Sequence, residues 1–341
     1  MKVLKRVLIP VLCVLVLASA ASAGLTRMTK EELRNYLVQK YQPVAGSAIP
    51  NPQAFLKGLR ASLAPGASPI ATPVISTDKQ YGATRLTSEM ELPLGIGVGE
   101  LGDYVLINDA FNGDLWAYRD AGLKYVLASP GEYLATGRMY GHYYFGDLAG
   151  NIFRLEYDGT VTPLFAFDVY GMFVGSLSVD PPTGLIAFSL DFMSGIEPSG
   201  AAPGPGFMAV LLLMNPAEPD IIYLMDEFDD YCFGVAFKGN SLYASLVNDS
   251  VILRYTRDGD GPFLFTDKVM VPGDLQVDAK GNVYVSELVT GNVLRFNASA
   301  TMRKKIAWGF LEPFCLGLDK RGDVFVSDVI AGEVWKLRKK Y

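Results

Sequence analysis

Few residues in this chain have the type and placement to do chemistry. Asp274 follows Pro272-Gly273 where an apolar run begins, and a carboxylate held there is a candidate metal ligand or general base. Acids also recur where other apolar runs end, at Asp109, Asp147, Glu287 and Asp328, with Asp191 a looser fit. A carboxylate ring would hold a cation or a basic partner, whereas the plainer reading has each acid accept the amides of its own turn. His142 is the only histidine in 341 residues, which excludes a two-histidine site and leaves one base for any Ser-His-Asp arrangement. Cys232 and Cys315 are too few for a disulfide scaffold or a structural zinc site. No haem, nucleotide or flavin motif is present, and the one cofactor considered is a divalent cation.

The first residues, MKVLKRVLIPVLCVLVLASAASAG, combine early bases, an apolar stretch and Ala21-Ser22-Ala23, the pattern of a cleaved secretory leader covering residues 1–23. The expected location is therefore secreted or periplasmic. Removing the three bases of the leader takes the formal charge from −6 to −9, which argues against a nucleic-acid partner. No later stretch is long and apolar enough to read as a membrane span.

The elements that must position these residues fall into two parts. Residues 24–65 read as helical: Thr29-Lys30-Glu31-Glu32 forms a capping box that predicts a helix to about Tyr41, and Asn51-Pro52 signals a second. Residues 66–82 read as a linker. From 83 to 341 short runs of period-two alternation are separated by Gly, Asn and Asp turns. VPGDLQVDAKGNVYVSELVTGNVLRF overlays LEPFCLGLDKRGDVFVSDVIAGEVWKL, with Pro272 over Pro313, Asp278 over Asp319, Gly281 over Gly322 and Gly291 over Gly332, a period of 41 residues. Fainter copies begin near Gly102, Tyr140, Gly175 and Tyr231. Six units of this length predict an all-β, six-bladed propeller with a short N-terminal helical arm. The last unit stops after three strands, so residues 83–92 are expected to supply its outer strand.

The pattern of Pro272, Leu275, Val277, Asp278, Gly281-Asn282, Tyr284-Val285 and Arg295 resembles the NHL repeat. It is also similar to the SMP-30/gluconolactonase and strictosidine-synthase-like propellers. The gluconolactonase resemblance implies a divalent metal at the channel mouth, held by a Glu, an Asn and an Asp. The Asp would come from the Pro272-Gly273-Asp274 triplet, where the carboxylate is shifted by one position and so is expected to point elsewhere. Phe233 stands in place of the Asn, and Glu91 and Glu100 are the candidates for the Glu.

On the repeat template His142 falls in a turn between first and second strands, on the face away from the mouth. Cys232 and Cys315 lie in different blades, too far apart for a disulfide, and are expected to be buried free thiols. Asp274 and Cys315 share one repeat position near the mouth, with Phe233 nearby and the acids Asp109, Asp147, Asp191, Glu287 and Asp328 beside them. An insertion from Phe192 to Gly206, with Phe192, Met193, Phe207 and Met208 at its base, would overhang the mouth as a lid or an unstructured excursion. The sequence favours a non-catalytic binding or scaffold protein that takes a protein or small-molecule partner at the mouth. Its rival is a small-molecule hydrolase or lyase of the lactonase or strictosidine-synthase-like kind with Asp274 at work.

Overall fold

The computed structural model describes residues 25–41, 73–99, 102–110, 113–119, 124–128, 134–147, 149–167, 172–180, 182–192 and 208–340. The expected leader, the second expected helix, Glu100, Met193 and Phe207 lie outside them. The period-two segments pair as six antiparallel sheets. Blade 1 comprises Pro93–Val98, Tyr104–Asp109, Asp114–Arg119 and Lys124–Ala128; blade 2 comprises Leu134–Tyr140, His142–Asp147, Ile152–Leu155 and Val161–Phe165. Blade 3 is Met172–Val179, Ile186–Phe192, Met208–Met214 and Ile221–Phe228, and blade 4 is Cys232–Lys238, Ser241–Leu246, Val251–Thr256 and Phe263–Thr266. Blade 5 is Pro272–Val277, Val283–Glu287, Asn292–Phe296 and Arg303–Trp308. Blade 6 takes Pro313–Leu318, Val324–Asp328 and Glu333–Lys339 from the end of the chain and its outer strand, Tyr81–Thr87, from the beginning. Pairings such as Trp335↔Arg85 and Lys339↔Tyr81 close the ring.

The first strands of successive blades pack around the central channel, and each begins with a bulge, as between Pro93 and Gly95 or Cys232 and Gly234. The face where these strands start is the mouth, shared with the turns that join second to third strands. Apolar side chains fill the seams between blades in separate clusters: Ile306, Leu316, Val324 and Leu337 between blades 5 and 6, for example, and Leu211, Val235 and Tyr255 between blades 3 and 4.

Two second-to-third turns explain why the repeat keeps its glycines. Gly291 and Gly332 both have φ near +65°, and a Cβ there would sit 2.1 Å from Phe310 O and 2.2 Å from Met90 O. The approach lets Phe310 N and Met90 N donate to the carbonyls of Gly291 and Gly332 and fixes where the chain passes to the next blade.

The N-terminal segment is not helical from its start. Thr26–Thr29 is a strand on the outer edge of blade 3, and the helix is confined to Lys30–Tyr41. The capping box forms reciprocally, Glu32 N donating to Thr29 Oγ1 at 3.2 Å and Thr29 N to Glu32 Oε2 at 2.7 Å. Leu33 and Leu37 are fully buried among Phe165, Phe188 and Ile222, so the helix lies against the flank of the propeller. Tyr36 and Lys40 anchor it to Glu227. Ser76–Thr77, within the expected linker, adds a short strand to blade 5.

Candidate functional site at the channel mouth

The blades are tied together at the mouth by a repeated hydroxyl. Ser189, Ser245 and Ser286, each on a second strand, donate to Cys232 O, Gly273 O and Phe314 O on the first strand of the next blade, at 2.7, 2.7 and 2.8 Å. At the seam from blade 6 to blade 1 the link is made by the Cys315 thiol, which donates to Leu94 O, while Ser327 Oγ accepts Cys315 N. Both Cys315 and Cys232 are free, buried thiols. These serines carried a sequence signal, a Ser directly before the recurring acid in blades 5 and 6, that the motif reading did not absorb.

The recurring acids are structural clamps. Asp109 accepts Glu91 N at 3.0 Å and Leu92 N at 2.9 Å, and Asp328 accepts Leu311 N at 2.7 Å and Glu312 N at 3.0 Å. Glu287 accepts Met270 N, Thr290 Oγ1 and Asn292 Nδ2. Most of these partners lie on the segment entering the first strand rather than in the acid's own turn; Asp147 also accepts Ala149 N and Asn151 N from its own turn. In blade 4 Leu246 occupies the acid position, and the clamp runs the other way: Asp230 on the entering segment accepts Asn248 N and Asp249 N from the turn.

Asp191 stands one residue past the repeat position. Ser189 pairs with Ser176 and Leu190 with Val174, so Leu190 holds the acid's place. Asp191 is fully buried, Oδ1 accepts Cys232 N at 2.7 Å, and Oδ2, lying over Gly175, has no hydrogen-bond partner among the described residues. Ser189 is close by, but its single hydrogen goes to Cys232 O. Burial pushes the Asp191 pKa up to about 8, opposed by the Cys232 amide.

Glu312 was missed in the sequence. It is 3% exposed, and neither carboxyl oxygen has a hydrogen-bond partner among the described residues. Burial, with the Asp328 carboxylate adding to it, pushes its pKa up to about 8. Its register is held in blades 1 and 5 by Leu92 and Val271, both in the apolar cluster at the mouth, so this carboxyl replaces a hydrophobic side chain.

An aromatic cluster fills the centre. The Phe233 ring lies 5.4 Å from Phe314 across the channel, 5.1 Å from Tyr231 and 6.4 Å from Phe173. Phe173 is the cross-strand partner of Asp191 and shares its face of the sheet. Burial raises the Tyr231 pKa, and the carboxylates of Asp191 and Asp230 raise it further. Leu92, Leu94, Val247, Leu288 and Val329 surround the rings.

Asp274 is 1% exposed, and its oxygens accept Leu275 N at 2.7 Å and Leu316 N at 2.8 Å, so it bridges the first strands of blades 5 and 6. With every blade placed, the architecture can be compared with known proteins. No family model matches the sequence, and no curated protein matches it. Solved structures do match. A gluconolactonase of Xanthomonas campestris aligns with TM-score 0.60 at 17% identity, covering 79% of this chain and 95% of that one. The calcium-binding protein regucalcin of Agrobacterium tumefaciens aligns with TM-score 0.60 at 14% identity over 76% and 94%, and streptogramin B lyase with TM-score 0.52 at 13% over 76% and 98%. The fold is that of the gluconolactonase-type six-bladed propellers.

The described residues at the mouth, which do not include Glu100, do not fit the divalent cation that this resemblance implies. Both Asp274 oxygens are taken by peptide N–H groups, the Phe233 ring offers no donor, and Glu91 points to the exposed rim. Among the described residues no three His, Cys, Asp or Glu side chains converge on a common point. His142, in its hairpin on the opposite face, packs at a tilt against the Tyr157 ring and lies 3.5 Å from Glu156. At the base of the insertion, Phe192 and Met208 pair and pack into the seam between blades 2 and 3 beside Leu190 and Val210, not into the channel cluster.

Proposed function

We propose that the protein is a binding or scaffold propeller that engages a basic, partly apolar partner on its mouth face. What supports this is the contrast between the two layers of the mouth. In the inner layer Asp109, Glu287, Asp328 and Asp274 are spent on backbone amides and the channel is filled by contacting rings. The outer rim exposes a different set of acids, Glu89, Glu91, Asp229, Asp249 and Asp267, interspersed with Met270 at 53% and Val289 at 72% exposure. Acidic and apolar groups alternating on one face complement a cationic amphipathic surface.

The rival reading is a metal-independent hydrolase or lyase. Its support is the pair of buried carboxyls, Asp191 and Glu312, whose raised pKa values keep a proton available near neutrality. One experiment tests both. Purified protein is assayed against a lactone and ester panel, with and without Ca²⁺ and Zn²⁺, and for retention of a lysine- and leucine-rich helical peptide. The binding reading expects no turnover and retention that is lost on reversing Glu91, Asp229 and Asp249 to Lys. Turnover abolished by Glu312→Gln or Asp191→Asn overturns it in favour of an enzyme, and turnover that needs metal and Asp274 restores the lactonase reading.

A further inference from the structure

The charge of the chain is segregated along its sequence. Residues 295–341 contain ten Lys and Arg against five Asp and Glu, whereas the whole chain has 30 against 36. All five of those acids are interior: Glu312, Asp319, Asp323, Asp328 and Glu333 are each 5% exposed or less. Asp319 accepts Arg321 N and Asp323 N, Asp323 accepts Lys339 N, and Glu333 takes Arg85 and the Trp335 indole. The surface of this region is therefore left to the bases.

The topology gathers these bases on the face opposite the mouth. Lys320 and Arg321 form the turn between the first two strands of blade 6. Lys339 and Lys340 end its third strand, and Lys79 precedes its outer strand. The groups are contiguous. Lys340 N donates to Gln80 O at 2.8 Å, Lys304 Nζ reaches Gln80 Oε1 at 2.7 Å and Asp78 at 2.9 Å, and the Lys339 side chain lies over Gly322. Arg321 remains 46% exposed despite its contact with Asp319.

We infer that the underside of blade 6 and the adjoining edge of blade 5 dock on an anionic lipid surface. Six bases, Lys79, Lys304, Lys320, Arg321, Lys339 and Lys340, occupy one end of the blade; among the described residues the exposed or partly exposed acids beside them are Asp78 and, in the adjoining turn of blade 1, Asp103. A field of mostly lysine point charges suits a diffuse sheet of headgroups, to which each base near the surface adds attraction. A specific anionic ligand would call instead for convergent donors around a concavity. Because the mouth rim is acidic, such a surface would also turn the mouth away from the bilayer.

The test is co-sedimentation of the full-length protein with phosphatidylcholine vesicles, with and without phosphatidylglycerol. Binding should require phosphatidylglycerol and disappear near 1 M salt, where the screening length falls to about 3 Å. Reversing Lys79, Lys320 and Lys340 to Glu should lower partitioning by about tenfold or more at an unchanged melting temperature, while Glu91→Lys on the mouth should not lower it. No phosphatidylglycerol-dependent binding by the wild-type protein at low salt overturns the inference without needing any variant. So does capture by soluble heparin in the absence of vesicle binding, which would assign the patch to a polyanion.

Discussion

At the scale of single residues, Asp191 and Glu312 set the pH response. Each holds a proton in the folded state, with pKa raised from 3.8 and 4.5 to about 8, that the unfolded chain has released by neutral pH. The folded state thus binds more protons between roughly pH 4 and 8, so stability falls as pH rises through that window and levels off above it. Glu312→Gln keeps the shape without the ionisation. Its melting temperature at pH 8 should exceed the wild-type value by about 5 °C, with a flatter profile from pH 5 to 8. Coincident profiles would show that Glu312 is solvated rather than buried. The spacing of the acids was visible in the sequence, but their partners were not, because Asp328 reaches the Leu311-Glu312 segment and Asp274 reaches Leu316 only once the blades are assembled. Glu312 could have been found by overlay, since Leu92 and Val271 occupy the same register.

At the scale of elements, the repeat was legible wherever local chemistry decides the outcome. The Thr29 capping box, the alternating strands and the turn glycines each fixed a feature through neighbours in sequence. Gly332→Ala should destabilise the protein by at least 2 kcal/mol in denaturant melts, combining a strained left-handed φ with a clash against the Met90 carbonyl. The same substitution at Gly141, also at positive φ but with nothing within 4 Å, should cost clearly less. Thr26–Thr29 was misread because a four-residue strand has no periodicity of its own. It exists through the edge that Ile221–Phe228 presents, a tertiary cause that the local sequence does not contain. The offset of Asp191 was equally hidden, since it follows from pairing register.

At the scale of the molecule, closure depends on Tyr81–Thr87. A chain starting at Leu94 would leave the outer edge of the Glu333–Lys339 strand unpaired and the seam lined by Tyr81 open. Its melting temperature should fall severely, and supplying residues 73–93 as a peptide should restore part of the loss. An unchanged melt would mean that the ring is held by its seams alone. Six equivalent units were readable from a 41-residue period, but the side of the ring to which each charge belongs was not. That assignment needs strand direction, which places Lys320 and Lys340 on one face and Glu91 and Asp249 on the other.

Blade 6 joins residues near the start of the chain to residues from its final stretch. A ribosome delivers the outer strand first and the three inner strands last. Until Lys339 has emerged, Tyr81–Thr87 has no partner and both ends of a five-blade arc are open edges. Completion of the ring therefore waits until the Glu333–Lys339 strand has emerged, and any nascent chain halted before Pro313 should be a substrate for proteases and holding chaperones rather than a smaller folded protein.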